Sequence, residues 1–284
     1  MKKQQFAVAG GGILILVIFY FIGNTVPPLS KAEAATGSQG PAKTLDIKAI
    51  LEVSKSKLSP LQQERVNRLE HAVVRGDVKN QQIAAYQQLA AFWKDSVQNA
   101  FLPSVYYLEE AAKLENSEKS LTFAAQLFLS NLRGQDNPEL KSWMADQSRD
   151  LFERAEKLNP ANDSTVIGLG ATYIFGSTGQ EPANVMKGIQ KILEVTRRDS
   201  TNMYAQLMLG LGGLESGQYD KAIPRLLKVA NQEPGNLEAI LSLGEAYERT
   251  GDKASAKKWY ASAKKQTRNP DLVNAISERL ESLK

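Results

Sequence analysis

A chain of 284 residues with 42% apolar content is long enough for one large packed domain or two ordinary ones. Its Ala- and Leu-rich composition, 23% charged, favours helices over strands. The formal net charge is only +4, with both signs interspersed, and the densest basic group (Lys253, Lys257, Lys258) reads as a solvated helix face, so no nucleic-acid patch is indicated. The absence of cysteine excludes disulfides, thiolate metal sites, a cysteine nucleophile and a bacterial lipoprotein anchor.

Lys2 and Lys3 precede an apolar run from Phe6 to Ile22. With Gly23 to Val26 it reaches the roughly 20 residues that cross about 30 Å of hydrocarbon, and Pro27 and Pro28 stop the helix. Residues 6–26 are therefore read as one transmembrane signal-anchor, with residues 1–5 cytoplasmic. The competing reading is a cleaved signal peptide, whose apolar region is usually about 7–15 residues and closely followed by a small-residue site. The good site here, Ala32-Glu33-Ala34, lies well past the run. The lysine pair stays in the cytoplasm, which puts the remainder across the membrane, in a bacterium at the periplasmic face of the inner membrane.

Residues 27–58 follow as a tether. Pro, Gly, Ala and Ser dominate to about residue 44, too few apolar groups to offset ordering. Ile47, Ile50, Leu51 and Leu58 then share one helical face, predicting a short amphipathic helix that docks on the rest of the chain or on a partner. Ser59, Pro60 and Gln62 form an N-cap, a first-position proline and a capping-box partner for a helix running to about Arg75. Helix-period segments at 78–97 and 103–114, then 120–132 and 140–158, give two looser pairs within residues 59–160.

The C-terminal half has a fixed register. Leu209 and Gly210 recur as Leu243 and Gly244, Gly217 as Gly251, Ala222 as Ala256 and Val229 as Ala263, always 34 residues apart. The small residue after Leu permits two helices to approach closely, and Gly217 and Gly251 end first helices in a left-handed turn. Leu169, Gly170 and Tyr173 open an earlier unit, whose turn carries an insertion over 176–184; Gly188 returns to the common spacing. Pro224 is placed in the first turn of its helix, where a missing N–H costs little. Residues 271–284 read as a polar capping helix.

This pattern resembles the tetratricopeptide repeat (TPR), over 163–202, 203–236 and 237–270, with a degenerate N-terminal half. The resemblance implies an all-α fold: a right-handed superhelical solenoid of antiparallel helix pairs, here preceded by one transmembrane helix. In layout the chain is similar to single-pass, periplasm-facing TPR proteins of bacterial envelopes, especially those of the Bacteroidota.

Catalytic signals are weak. His71 is the sole histidine, Gln218 replaces the lysine of a phosphate loop in the 212–218 glycine cluster, and Glu109 and Glu110 diverge on a helix. The chain is read as non-enzymatic, with no cofactor, metal or catalytic residue. What the TPR resemblance implies instead is a partner groove lined by first helices: Ile167, Ala171 and Ile174; Tyr204, Leu207, Leu211 and Leu214; then Glu238, Leu241, Glu245, Glu248 and Arg249. An apolar middle with an acidic C-terminal end suits a peptide or an amphipathic, partly basic helix. The alternative, that the apolar members pack against a neighbouring repeat or the 45–58 helix, stays open. The expected role is a membrane-anchored scaffold for protein partners, as a homo- or hetero-oligomer or with separate chains. The alternative is an envelope assembly factor or chaperone, of translocon-associated or cytochrome-maturation type, that holds exported clients.

Overall fold

The structure, a computed structural model, describes residues 45–75, 78–177 and 182–284. The expected anchor at 6–26 and the tether to residue 44 lie outside the described residues, as does part of the 176–184 turn. Among the described residues there are thirteen α-helices, and no helix is long and apolar enough to cross a membrane.

The first element, α1 (Ile47–Ser56), is capped by Asp46, whose side chain accepts from the Ala49 N–H. It buries Leu51, and Leu58 follows it into a small core with Val66, Leu89, Phe92, Trp93 and Tyr107. Its polar side is held too: Lys55 lies 2.9 Å from Glu70, which accepts a 2.5 Å hydrogen bond from the Tyr107 hydroxyl. The segment thus docks on its own chain, against α2 (Pro60–Arg75) and α4 (Phe101–Glu115). At the start of α2 the capping box forms in both directions, Ser59 N–H to Gln62 Oε1 at 3.0 Å and Gln62 N–H to Ser59 Oγ at 3.4 Å.

Five helix pairs follow: α3 (Lys79–Ser96) with α4, α5 (Glu118–Leu132) with α6 (Pro138–Leu158), α7 (Asp163–Phe175) with α8 (Pro182–Arg198), α9 (Met203–Glu215) with α10 (Tyr219–Gln232), and α11 (Leu237–Arg249) with α12 (Lys253–Gln266). A last helix, α13 (Pro270–Ser282), packs on α12. Val105 and Ala112 of α4 enter a second, larger core that runs on to Leu283, while Tyr107 of the same helix enters the small one. Helix α4 is therefore the element that joins the two.

The common register has a direct physical reading. Gly217 and Gly251 sit at φ +73° and +83°, the left-handed conformation that spares glycine a side-chain clash. The backbones approach closely in the α7/α8 pair, where a Cβ on Gly188 would stand 2.3 Å from the Gly170 carbonyl oxygen. The Asn side chains at 162, 202, 236 and 269 cap α7, α9, α11 and α13 in turn, each accepting from a first-turn N–H.

Two local expectations are corrected. Pro182 to Asn184 form the first turn of α8 rather than loop, because a proline at the first helical position forgoes no intrahelical bond. Pro224 stands inside α10, in its second turn, so the Asp220 carbonyl loses its intrahelical donor.

Candidate functional site

The expected groove residues fall into two groups. On α7 every residue from Thr165 to Phe175 is buried, Ile167, Ala171 and Ile174 among them. Helix α9 is similar: Leu207, Leu211 and Leu214 are all buried. Both helices are apolar around their whole circumference, the composition of a helix surrounded by others. Ile174 shows how: its side chain lies against Gly188 of α8 on one side and Gly212 of α9 on the other. These six side chains are packing groups in this structure, because neighbouring helices cover the surface they were expected to line.

Two side chains of α5 reach across to later first helices. Gln126 exchanges hydrogen bonds with the Tyr204 hydroxyl at 2.9 and 3.2 Å, reaching past α7 to α9. Tyr204 is half-buried by this contact, and burial raises its phenol pKa. Two turns on, Arg133 at the C-cap of α5 places Nη1 2.8 Å from Glu238 of α11 and Nε 3.7 Å from Glu215 of α9. The same guanidinium lies 5.5 Å from the Phe175 ring centroid. Its buried Nε has no hydrogen-bond acceptor among the described residues.

The second group stays open to solvent. Glu238, Leu241 and Glu245, on one face of α11, line a cleft of about 480 Å³ together with Arg133, Leu237, Ser242 and Tyr260. The Glu238 side chain keeps 50% of its exposure and that of Glu245 keeps 40%. Arg249 pairs with Glu245 at 3.5 Å, at the cleft's end. Glu248 is engaged elsewhere: it accepts from the Tyr260 hydroxyl at 3.0 Å and from Arg279 Nε at 2.7 Å, tying α13 to the array. Burial first, then the Glu248 bond, pushes the Tyr260 phenol up to about 12. The cleft is thus acidic and apolar, with Arg133 as the cation at its wall.

Arg133, Gln126 and Tyr260 were not singled out from the sequence. Arg133 and Gln126 act over separations of 105 and 78 residues, which local spacing does not encode. His71 is exposed on α2, and among the described residues no group of three or more acidic or histidine side chains could hold a metal ion.

Residues 213–280 match the family described as Tetratricopeptide repeat. This C-terminal segment is built of TPR repeats. The repeat explains the paired small residues, left-handed glycines and short antiparallel helices of α9 to α12. Among solved structures, TTC0263, a thermophilic TPR protein in Thermus thermophilus, superposes with a TM-score of 0.55 at 17% identity, covering 70% of this chain and 98% of that one. PilW, described as a widely conserved type IV pilus biogenesis factor, gives 0.48 at 16% identity, with 73% and 86% covered. YrrB, a TPR protein with an unusual peptide-binding site, gives 0.40 at 15%, with 68% and 91% covered. At these identities the likeness concerns the fold, and TTC0263 carries it. No curated protein matches the sequence.

Proposed function

We propose that this chain is a membrane-anchored, non-enzymatic TPR scaffold whose α11 cleft engages a protein partner at the periplasmic face of a bacterial inner membrane. The observation that carries the contact surface is the joint placement of Glu238, Leu241 and Glu245 in one solvent-open cleft, whereas the apolar positions expected on α7 and α9 (Ile167, Ala171, Ile174, Leu207, Leu211 and Leu214) are buried. Two carboxylates, Glu238 and Glu245, line the cleft against one lining cation, Arg133, with Arg249 beside Glu245. A peptide or amphipathic helix bearing apolar and basic groups complements such a surface. The anchor rests on the sequence: Lys2 and Lys3 ahead of the apolar run 6–26, an arrangement that keeps the lysines cytoplasmic.

Cross-linking in native membranes, purification of the full chain and mass spectrometry test this reading. The scaffold yields a small stoichiometric set of partners that is lost on Glu238→Lys with Glu245→Lys. Identical capture by that variant contradicts the assignment of the surface. A broad spread of unfolded exported proteins assigns the chain instead to assembly or chaperone duty. Carbonate extraction tests the anchor: the full chain stays with the membrane and a chain lacking residues 1–26 does not. Release of the full chain contradicts it.

A further inference from the structure

A second cleft, on another side of the molecule from α11, is unlike the first in charge. It has a volume of about 690 Å³ and lies between α8 and α10, with α9 as its floor. Met186, Ile189 and Leu193 form its α8 wall, spaced to share one helical face, and Met186 is 53% exposed. Gly212 and Gly213 on α9 contribute no side chains, so the floor is open down to buried Leu209. The α10 wall carries Lys221, Arg225 and Lys228, again on one helical face. The adjoining face of α10, Ala222, Leu226 and Val229, is the one buried in the core.

The three cations have no carboxylate within ion-pair distance among the described residues. Lys221 bonds Gln218 Oε1 at 2.7 Å, Arg225 bonds Gln206 Oε1 at 2.8 Å and Lys228 bonds the Ser200 carbonyl at 2.5 Å. Gln206 is itself buried and donates to the Ser200 carbonyl, so Arg225 is held in place with most of its guanidinium donors unspent. Asp220 at the rim and Asp199 near Lys228 are the acids of the neighbourhood. The repeat does not require this stripe. One repeat later the same positions are Ser255, Trp259 and Ser262. One repeat earlier they are Lys187, Lys191 and Glu194: Lys187 bonds the Tyr173 hydroxyl at 2.6 Å and Lys191 is neutralised by Glu156 at 2.8 Å. Of these three repeats, only the one holding α10 carries cations at all three positions.

We propose that the α8/α10 cleft is a second docking site, taking a protein segment that presents carboxylates along one side and apolar side chains along the other. The carboxylates meet Lys221, Arg225 and Lys228 while the apolar groups lie over Met186, Ile189 and Leu193. It goes beyond the α11 reading and is independent of it. Together the two clefts give the array contact sites of opposite charge preference.

The test is fluorescence anisotropy of the full chain with a short fluorescein-labelled peptide carrying Glu and Leu at helical spacing. Binding is expected, weakening as salt screens the cations. Arg225→Glu with Lys228→Glu lowers affinity by roughly tenfold or more, whereas the charge-matched Lys264→Glu with Lys265→Glu, exposed on α12 outside the cleft, leaves it unchanged. Lys221→Glu with Lys228→Glu spares the Arg225–Gln206 bond and is expected to weaken binding in the same direction should the first variant fail to fold. No binding, equal binding of a peptide with Lys in place of Glu, or equal binding with Ser in place of Leu overturns the proposal; the last result makes the stripe a mere polyanion-binding surface.

Discussion

Glu109 on α4 is a carboxyl with 1% exposure, and Lys113, its partner at 2.5 Å, does not offset the cost of burying its charge. Burial, with Glu110 and Asp150 nearby, lifts it from the ordinary carboxylate range to about 7. A folded-state pKa above the unfolded one means that the native state binds the proton more tightly. Its contribution is therefore fully present below about pH 4.5 and is lost as pH rises through about 7. Glu109→Gln is expected to be more stable than the parent by about 2 kcal/mol at pH 8, with the gap shrinking towards pH 5, in urea titrations at both values. A steric counterpart is Gly188, where an added Cβ meets the backbone carbonyl of Gly170 rather than a movable side chain. Gly188→Ala should cost about 2 kcal/mol, while Gly134→Ala, with nothing within 4 Å, should cost far less; thermal unfolding of the two variants separates them.

At the scale of elements, each first helix of the C-terminal array begins on an Asn cap. Asn236 Oδ1 accepts from the Ala239 N–H at 3.0 Å, and Asn236→Ala is expected to lose about 1 kcal/mol, read as a lowered denaturation midpoint at unchanged m-value. These elements were legible because their determinants are local. Gly217 and Gly251 recur at one spacing and both adopt positive φ; Ser59 and Gln62 announce a capping box and form it. Pro224 shows the limit of such reasoning, since the helix starts at Tyr219 and leaves the proline one turn deeper than the spacing suggested. The apolar circumference of α7 carries no single stripe, so nothing in its own residues says which face meets a partner and which meets another helix.

At the scale of the whole molecule, the determinant that could not be read is non-local. Repeat arrays ordinarily contact only their nearest neighbours. Here α5 reaches α9 through Gln126 and α11 through Arg133, while Ile167, Ala171, Leu207 and Leu211 are buried. The acidic end of the expected groove, Glu238 and Glu245 on α11, remains open to solvent. Arg133→Ala removes the contacts to Glu215 and Glu238 together with the cation stacked on Phe175. It should raise hydrogen exchange at the end of α5 and the start of α11 and leave α2 and α3 unaffected.

The direct test of the α11 surface is site-specific photo-cross-linking in native membranes. A photoreactive residue is placed in turn at Leu241, at Glu245 and, as a control, at exposed Glu278 on α13. Partner adducts from positions 241 and 245, and none from 278, are the predicted result. Adducts that are equally strong at 278, or absent at 241 and 245 while the partner still co-purifies, contradict the claim that α11 is the contact surface.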